Sequence, residues 1–410
     1  MSEFFTLISP DEARARILAH VKPLGDVEAV PTVEAIGRVL AEDVRSPQIL
    51  PEFRRSTVDG YAVRAADTHG ASDTLPAYLK LVGEVPMGQV ASFEIGVGEL
   101  AVVHTGGNVP PGADAVVMIE DTNRTGEDEV EVRKPVAEGE NVIQPGEDID
   151  EGELILPAGH RLREQDIGGL MAVGCTEVKV ARRPRVYVFA TGDEVIPPHE
   201  ATKPGQVRDI NSYTVAALAE QAGAAVTRGG ILPDDFDTIL ARTREAIEAG
   251  ADMIVLSAGS SVSVRDMTAE VFNQLGEPGV LVHGIATKPG KPTILGVGNG
   301  IPLIGLPGNP VSAFVQFLMV CTPVIYRLQG AEVPPTRFVR VPLAVNVPST
   351  AGREDYVPTR LVERDGQLVA DPIFFKSNLI FTLVHADGLL RVPLNATGLE
   401  AGEMVEVRVF

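Results

Sequence analysis

Between residues 181 and 328, short and nearly uninterrupted apolar runs alternate with helical segments, and few folds accommodate that pattern. Strand-like runs at 186–189, 225–231 and 253–256 are separated by helical patterns at 212–222 and 236–249, and a further helix is expected at 267–275. Strands apolar on both faces must be covered on both, so the reading is an α/β/α domain with a parallel sheet built from βαβ units. Ligands of such sheets bind beyond the carboxyl ends of the strands, which directs attention to the loops following each run.

With 410 residues the chain exceeds one ordinary hydrophobic core and divides into several domains. The predicted organisation is multidomain α+β and α/β. An N-terminal helical and β domain (1–46 plus 146–180) is interrupted by an inserted β domain (47–145). The central parallel-sheet domain (181–328) and a C-terminal β barrel (329–410) follow. Ser9, Pro10 and Glu12 form a capping box that starts the first helix ahead of Ile17 and Val21. The insertion is rich in Val, Gly and Pro, with runs such as 100–103 and 115–118 between turn residues, and helical patterning returns at 165–171. Arg364-Asp365-Gly366-Gln367 predicts a hairpin turn in the last domain.

Hydrophobic residues are 44% of the chain without an uninterrupted apolar stretch of about 18, so no bilayer span is expected. The first residues carry no basic flank and apolar block, and a cytoplasmic protein is expected. The two cysteines, Cys175 and Cys321, lie far apart and read as reduced thiols. The net charge of −21 opposes nucleic acid and makes any local gathering of cations conspicuous.

At the end of the first central strand, Thr191-Gly192-Asp193-Glu194 places two carboxylates at a turn that glycine permits. The next strand ends lead into Pro233-Asp234-Asp235 and Ser257-Ala258-Gly259-Ser260-Ser261, the latter followed by Asp266. Carboxylates recurring at successive strand ends suit Mg²⁺, with Glu194, Asp234 and Asp266 as candidate ligands; singly each is more often a helix cap, Asp234 above all. Lys288-Pro289-Gly290-Lys291-Pro292 sets two cations three apart on a proline-stiffened loop, the pattern of an anion clamp. Gly305-Leu306-Pro307-Gly308-Asn309-Pro310-Val311-Ser312 reads as strand, turn and helix start, with Asn309 as N-cap and Pro310 at the first helical position. Its free N–H groups suit an oxyanion.

These motifs stand collinear with Ser56-Thr57-Val58-Asp59-Gly60-Tyr61-Ala62, His104-Thr105-Gly106-Gly107, Gly112-Ala113-Asp114-Ala115-Val116-Val117-Met118 and Gly146-Glu147-Asp148-Ile149. Together they resemble the MoeA family of molybdopterin molybdenumtransferases, which includes the gephyrin E domain, over nearly the whole chain. The resemblance implies an enzyme that inserts molybdate into adenylylated molybdopterin (molybdopterin-AMP), releasing AMP with Mg²⁺ assistance. It implies a homodimer with an intersubunit active site. Thr191, Glu194, Asp234 and Asp266 would surround metal and nucleotide, and Lys288, Lys291, Pro307, Pro310, Ser312 and Ser377 the anion. Asp59, Thr105 and Asp148 would come from the partner subunit. The sequence departs from the family in reading Ser257-Ala258-Gly259 for Ser-Gly-Gly and Phe375-Lys376-Ser377 for Gln-x-Ser. The competing readings are a tungstate-inserting homologue, a molybdopterin adenylyltransferase and a non-catalytic scaffold. Transient contact with an adenylyltransferase is a further expectation.

Overall fold

The computed structural model describes residues 7–258, 262–374 and 376–410, without the side chains of 258 and 262–265. The expected loop Gly259-Ser260-Ser261 and Phe375 of the Phe-Lys-Ser motif lie outside the described residues. The chain forms two compact units, one of Met1–Glu42, Ala158–Arg163 and Glu177–Phe410, the other of Asp43–Pro157 and Glu164–Thr176.

The first unit is built on a six-stranded sheet of β1 (Arg185–Thr191), β2 (Ala225–Leu232), β3 (Met253–Ala258), β4 (Pro278–His283), β5 (Ile294–Gly298) and β6 (Ile301–Pro307), ordered β2-β1-β3-β6-β5-β4. The first four in that order pair in parallel, as the alternation predicts, whereas β5 pairs antiparallel with both β6 and β4. Gly296, Gly298 and the opening Pro278 dilute the apolar runs of β4 and β5, which is why these strands do not stand out in the sequence.

Side chains alternate between two buried clusters. Val186, Val188, Met253, Val255, Ile304 and Leu306 face one core; Phe189, Ile254, Leu256 and Leu303 face the other. Each buried Val, Leu, Ile or Phe contributes about 1.5–3 kcal/mol, so the double coverage supplies much of the unit's stability. The first core takes α1 (Pro10–Leu18) and α2 (Asn211–Gln221) through Ile17 and Val215, and the second takes α3 (Phe236–Glu248) and α4 (Val262–Asn273) through Ile239 and Phe272. Ser9 caps α1 as expected, accepting from the Glu12 N–H at 3.2 Å. The last helix begins as α5 (Pro310–Gln316) and runs through a π segment, Phe317–Cys321, into Thr322–Leu328. Its 19 residues are long and apolar enough to cross a membrane, but 72% of it is buried in this fold, where Phe317, Val320 and Val324 fill the first core.

C-terminal strands Phe338–Pro342, Glu354–Arg364, Gln367–Pro372, Gly388–Val392 and Met404–Val409 form an antiparallel ladder, joined at its edge by Thr287–Lys288. The predicted turn is present, with Asp365 at φ 52° and Gly366 at φ 76° between paired Arg364 and Gln367.

The second unit holds another six-stranded sheet, including Gly60–Val63 between Glu99–Val103 and Ala115–Met118. Tyr61 and Val63 face one cluster and Ala62 the other. The helix Glu164–Ala172 clusters with this unit, while the strand Glu177–Ala181 pairs with Val27–Pro31 of the first.

Candidate active site

At the carboxyl edge of the central sheet a cleft of ≈610 Å³ opens between the end of β1, the end of β3, the turn after β6 and the start of α2. Thr191, Glu194, Asp209, Asn211, Ser257 and Asn309 are among its walls. The local sequence accounts for its shape. The chain turns at Gly192 with φ 141°, and a Cβ there would lie 2.7 Å from the Glu194 carboxylate and 2.8 Å from the Val195 side chain, so glycine lets Glu194 fold back beside Thr191. Thr191 is 3% exposed, and its hydroxyl has no partner among the described residues.

The segment after Glu194 returns through Val207–Arg208, paired with Val195–Ile196, and ends in Asp209. Asp209 caps α2, accepting from the Ser212 N–H at 3.0 Å and from the Ser212 hydroxyl. With the cap supplied, Asn211 is free to reach across the cleft; its Nδ2 donates to Ser257 Oγ and to the Gly308 carbonyl, both at 2.8 Å. The sequence motifs single out neither Asp209 nor Asn211. The signal for Asp209 is its place three residues before Ser212, a capping spacing.

The carboxylates are arranged differently from the expectation. Asp235, not Asp234, is the N-cap of α3, accepting from the Thr238 N–H at 2.9 Å and its hydroxyl at 2.6 Å, and those bonds lower its pKa. Asp234 keeps a buried oxygen with no partner among the described residues. Desolvation, then the charges of Glu194 and Asp193, push its carboxyl above the ordinary range. Asp266 is exposed on α4, and among the described residues no three His, Cys, Asp or Glu side chains converge closely enough to hold a metal. Among the described residues, Asp234 thus offers an unpartnered carboxylate oxygen crowded by the like charge of Glu194, a donor pair that a cation would relieve.

Around the predicted clamp, Lys288 Nζ lies 3.8 Å from Asp355, a carboxylate 3% exposed that also accepts from Arg353 Nε at 2.8 Å. Lys291 is exposed. Gln316 pins the loop to the last helix by donating to the Pro289 carbonyl at 3.1 Å, and a Cβ on Gly290 would overlap the Gln316 side chain. Asn309 occupies the N-cap position, yet its amide donates to Ser377 Oγ at 3.0 Å rather than capping its own helix. The Ser377 carbonyl accepts from the Val311 N–H at 3.1 Å, seating the 376–378 segment on the first turn of α5. Of the predicted residues, Thr191, Glu194 and Pro310 line the cleft; Pro307 and Ser312 are buried beside it in sequence, and Asp234, Asp266, Lys288, Lys291 and Ser377 are outside its lining.

In the second unit, Asp59 accepts from the Thr105 N–H at 2.9 Å, and His104 lies 3.8 Å from Asp59 and 2.9 Å from Glu84. Asp148 lines a separate cavity of ≈560 Å³ with Glu147 and Arg55, whose guanidinium stands 4.8 Å from the Phe53 ring centre.

Comparison with known proteins matches the chain in three segments. Residues 8–174 match the MoeA N-terminal region (domain I and II), 187–327 a probable molybdopterin binding domain, and 340–410 the MoeA C-terminal region (domain IV). A Bacillus subtilis protein named molybdopterin molybdenumtransferase is 31% identical, the match covering 99% of this chain and 95% of that protein. A Nostoc protein of the same name is 35% identical over 93% and 88%. The crystal structure of the molybdopterin biosynthesis moeA protein from Pyrococcus horikoshii is 32% identical, with a TM-score of 0.85 over 99% of this chain and 100% of that one. With end-to-end coverage by relatives above 30% identity and a matching fold, the chain belongs to the MoeA family.

Proposed function

We propose that the chain is a molybdopterin molybdenumtransferase of molybdenum cofactor biosynthesis, which takes adenylylated molybdopterin and molybdate as substrates and releases AMP. The observation that carries this reading is the cleft at the carboxyl edge of the parallel sheet. There the buried Thr191 hydroxyl, unpartnered among the described residues, lines one wall with Glu194 and the Gly308–Pro310 turn, in a chain whose relatives carry the corresponding name. Breaking a phosphoric anhydride requires charge neutralisation and alignment rather than a covalent nucleophile. Thr191 and Ser257 supply hydroxyl donors in the wall, and Asn211 fixes the turn that faces them. Mg²⁺ held by Glu194 and Asp234 would neutralise phosphate oxygens; the Asp234 oxygen that has no partner among the described residues, and its crowding by like charge, support that pair as the holders.

Lys288 and Arg353, joined through Asp355, are the cations we assign to the oxyanion, with Lys291 beside them on the loop. The C-terminal strands we read as a small barrel, supported by the Leu343–Ala370 bridge between its outer strands. A homodimer whose partner delivers Asp59, Thr105 and Asp148 to the cleft, a cytoplasmic location and transient contact with an adenylyltransferase complete the proposal. The test is AMP release from purified protein given adenylylated molybdopterin, Mg²⁺ and either molybdate or tungstate. Release dependent on Mg²⁺ and oxyanion supports the transferase, and the oxyanion giving the higher kcat/KM identifies the preferred metal. Binding without release under every condition makes the protein a scaffold.

A further inference from the structure

We infer that Asn211 is a positioning residue of the cleft, one that sets Ser257 as a hydrogen-bond donor toward a phosphate oxygen of the bound nucleotide and holds the Gly308 turn beside it. The inference rests on the reading that the adenylate end of the substrate occupies this cleft. Asn211 is 8% exposed and has two amide hydrogens, and both are committed, at 2.8 Å, to Ser257 Oγ and to the carbonyl of Gly308. A carbonyl can only accept, so the Gly308 bond fixes which end of the carboxamide is nitrogen. Ser257 Oγ therefore takes the second hydrogen as an acceptor and keeps its own O–H to donate.

Ser257 is 4% exposed and lines the cleft, and among the described residues its hydroxyl donates no hydrogen bond. A buried donor without an acceptor costs the free protein, and an anionic oxygen is the acceptor that relieves it most. The carboxamide oxygen of Asn211 likewise has no donor among the described residues, leaving one acceptor beside one donor in the wall. That pairing suits a phosphate ester with a hydroxyl close by, as in a ribonucleotide. The same carboxamide ties three elements at the cleft, the start of α2, the end of β3 and the turn after β6.

The test is calorimetric titration with AMP of the wild type, Asn211→Ala, Ser257→Ala and the double variant, with Tm recorded for each. Each single substitution is expected to weaken AMP binding about tenfold to a hundredfold, the loss of one hydrogen bond to an anion. The double variant is expected to bind no more weakly than the weaker single, because Asn211 acts through Ser257. Ser257→Ala leaves the Asn211–Gly308 bond in place and keeps the test open if Asn211→Ala fails to fold. The inference is overturned if AMP affinity in folded Asn211→Ala stays within about twofold of wild type, if the single effects multiply, or if the wild type does not bind AMP. Should the wild type bind AMP with the expected pattern yet release none from adenylylated molybdopterin, the transferase reading fails and the role of Asn211 stands. Should release proceed with kcat and KM unchanged in Asn211→Ala, the role of Asn211 fails alone.

Discussion

Asp234 and Asp235 are neighbours with opposite fates, and the difference is a matter of geometry at the end of β2. The strand ends at Leu232 and α3 begins at Phe236, so only Asp235 stands at the N-cap, while Asp234 points into a crowd of like charge. Because its folded pKa lies above its unfolded value, ionised Asp234 destabilises the metal-free fold. That cost is absent below the unfolded pKa, where both states are protonated, and is complete above the folded pKa. Asp234→Asn is therefore expected to raise Tm in metal-free buffer at pH 7–8, with the gain vanishing toward about pH 4, as a thermal melt series would show. Adding Mg²⁺ should raise the Tm of wild type more than that of Asp234→Asn; an equal rise in both would remove Asp234 from the cation site. No pattern in Pro233-Asp234-Asp235 says which carboxylate caps, since either spacing is compatible with a helix that starts one residue earlier or later. Asn211 was illegible for a related reason, because its role depends on Ser257 and Gly308, 46 and 97 residues away in the chain.

The elements were far more legible than the contacts between their side chains. β1, β2, β3, α2 and α3 lie within a few residues of the predicted runs because each is apolar on the faces that become buried. α4 begins at Val262, five residues before the apolar periodicity becomes visible at Met267, since its first turn carries Ser263 and Arg265. The last helix is the keystone of the first core. Phe317 is fully buried at the opening of the π segment, and Phe317→Ala is expected to cost about 3–5 kcal/mol, read by denaturant unfolding. In the second unit the sensitive element is the Gly60–Val63 strand, where a Cβ on Gly60 would overlap the Val117 carbonyl. Gly60→Ala is expected to destabilise that unit by about 1–3 kcal/mol, and a melting curve unchanged by it would mean that the strands separate without cost. The glycine of the Asp-Gly pair at 59–60 thus serves a close backbone approach inside a strand.

On the scale of the whole molecule, collinear motifs spread over the chain identified the family, because a motif order is preserved even where no single motif is decisive. Net charge makes a prediction that no single residue makes. With −21 overall, the long-range field repels a nucleotide dianion, while attraction is confined to a few cations such as Lys288, Arg353 and the cleft-lining Arg208. Repulsion summed over the whole surface acts beyond about 10 Å, the Debye length at 0.1 M salt, and is screened first. Attraction at close range survives longer. Raising salt from about 20 to about 200 mM is therefore expected to speed the association of a fluorescent AMP analogue in stopped-flow measurements, against the trend for a basic binding surface. The corresponding neutral adenosine analogue should show no such change. If the AMP analogue instead associates more slowly as salt rises, the cations at the cleft dominate the field at encounter distance, and the acidic surface plays no part in capture.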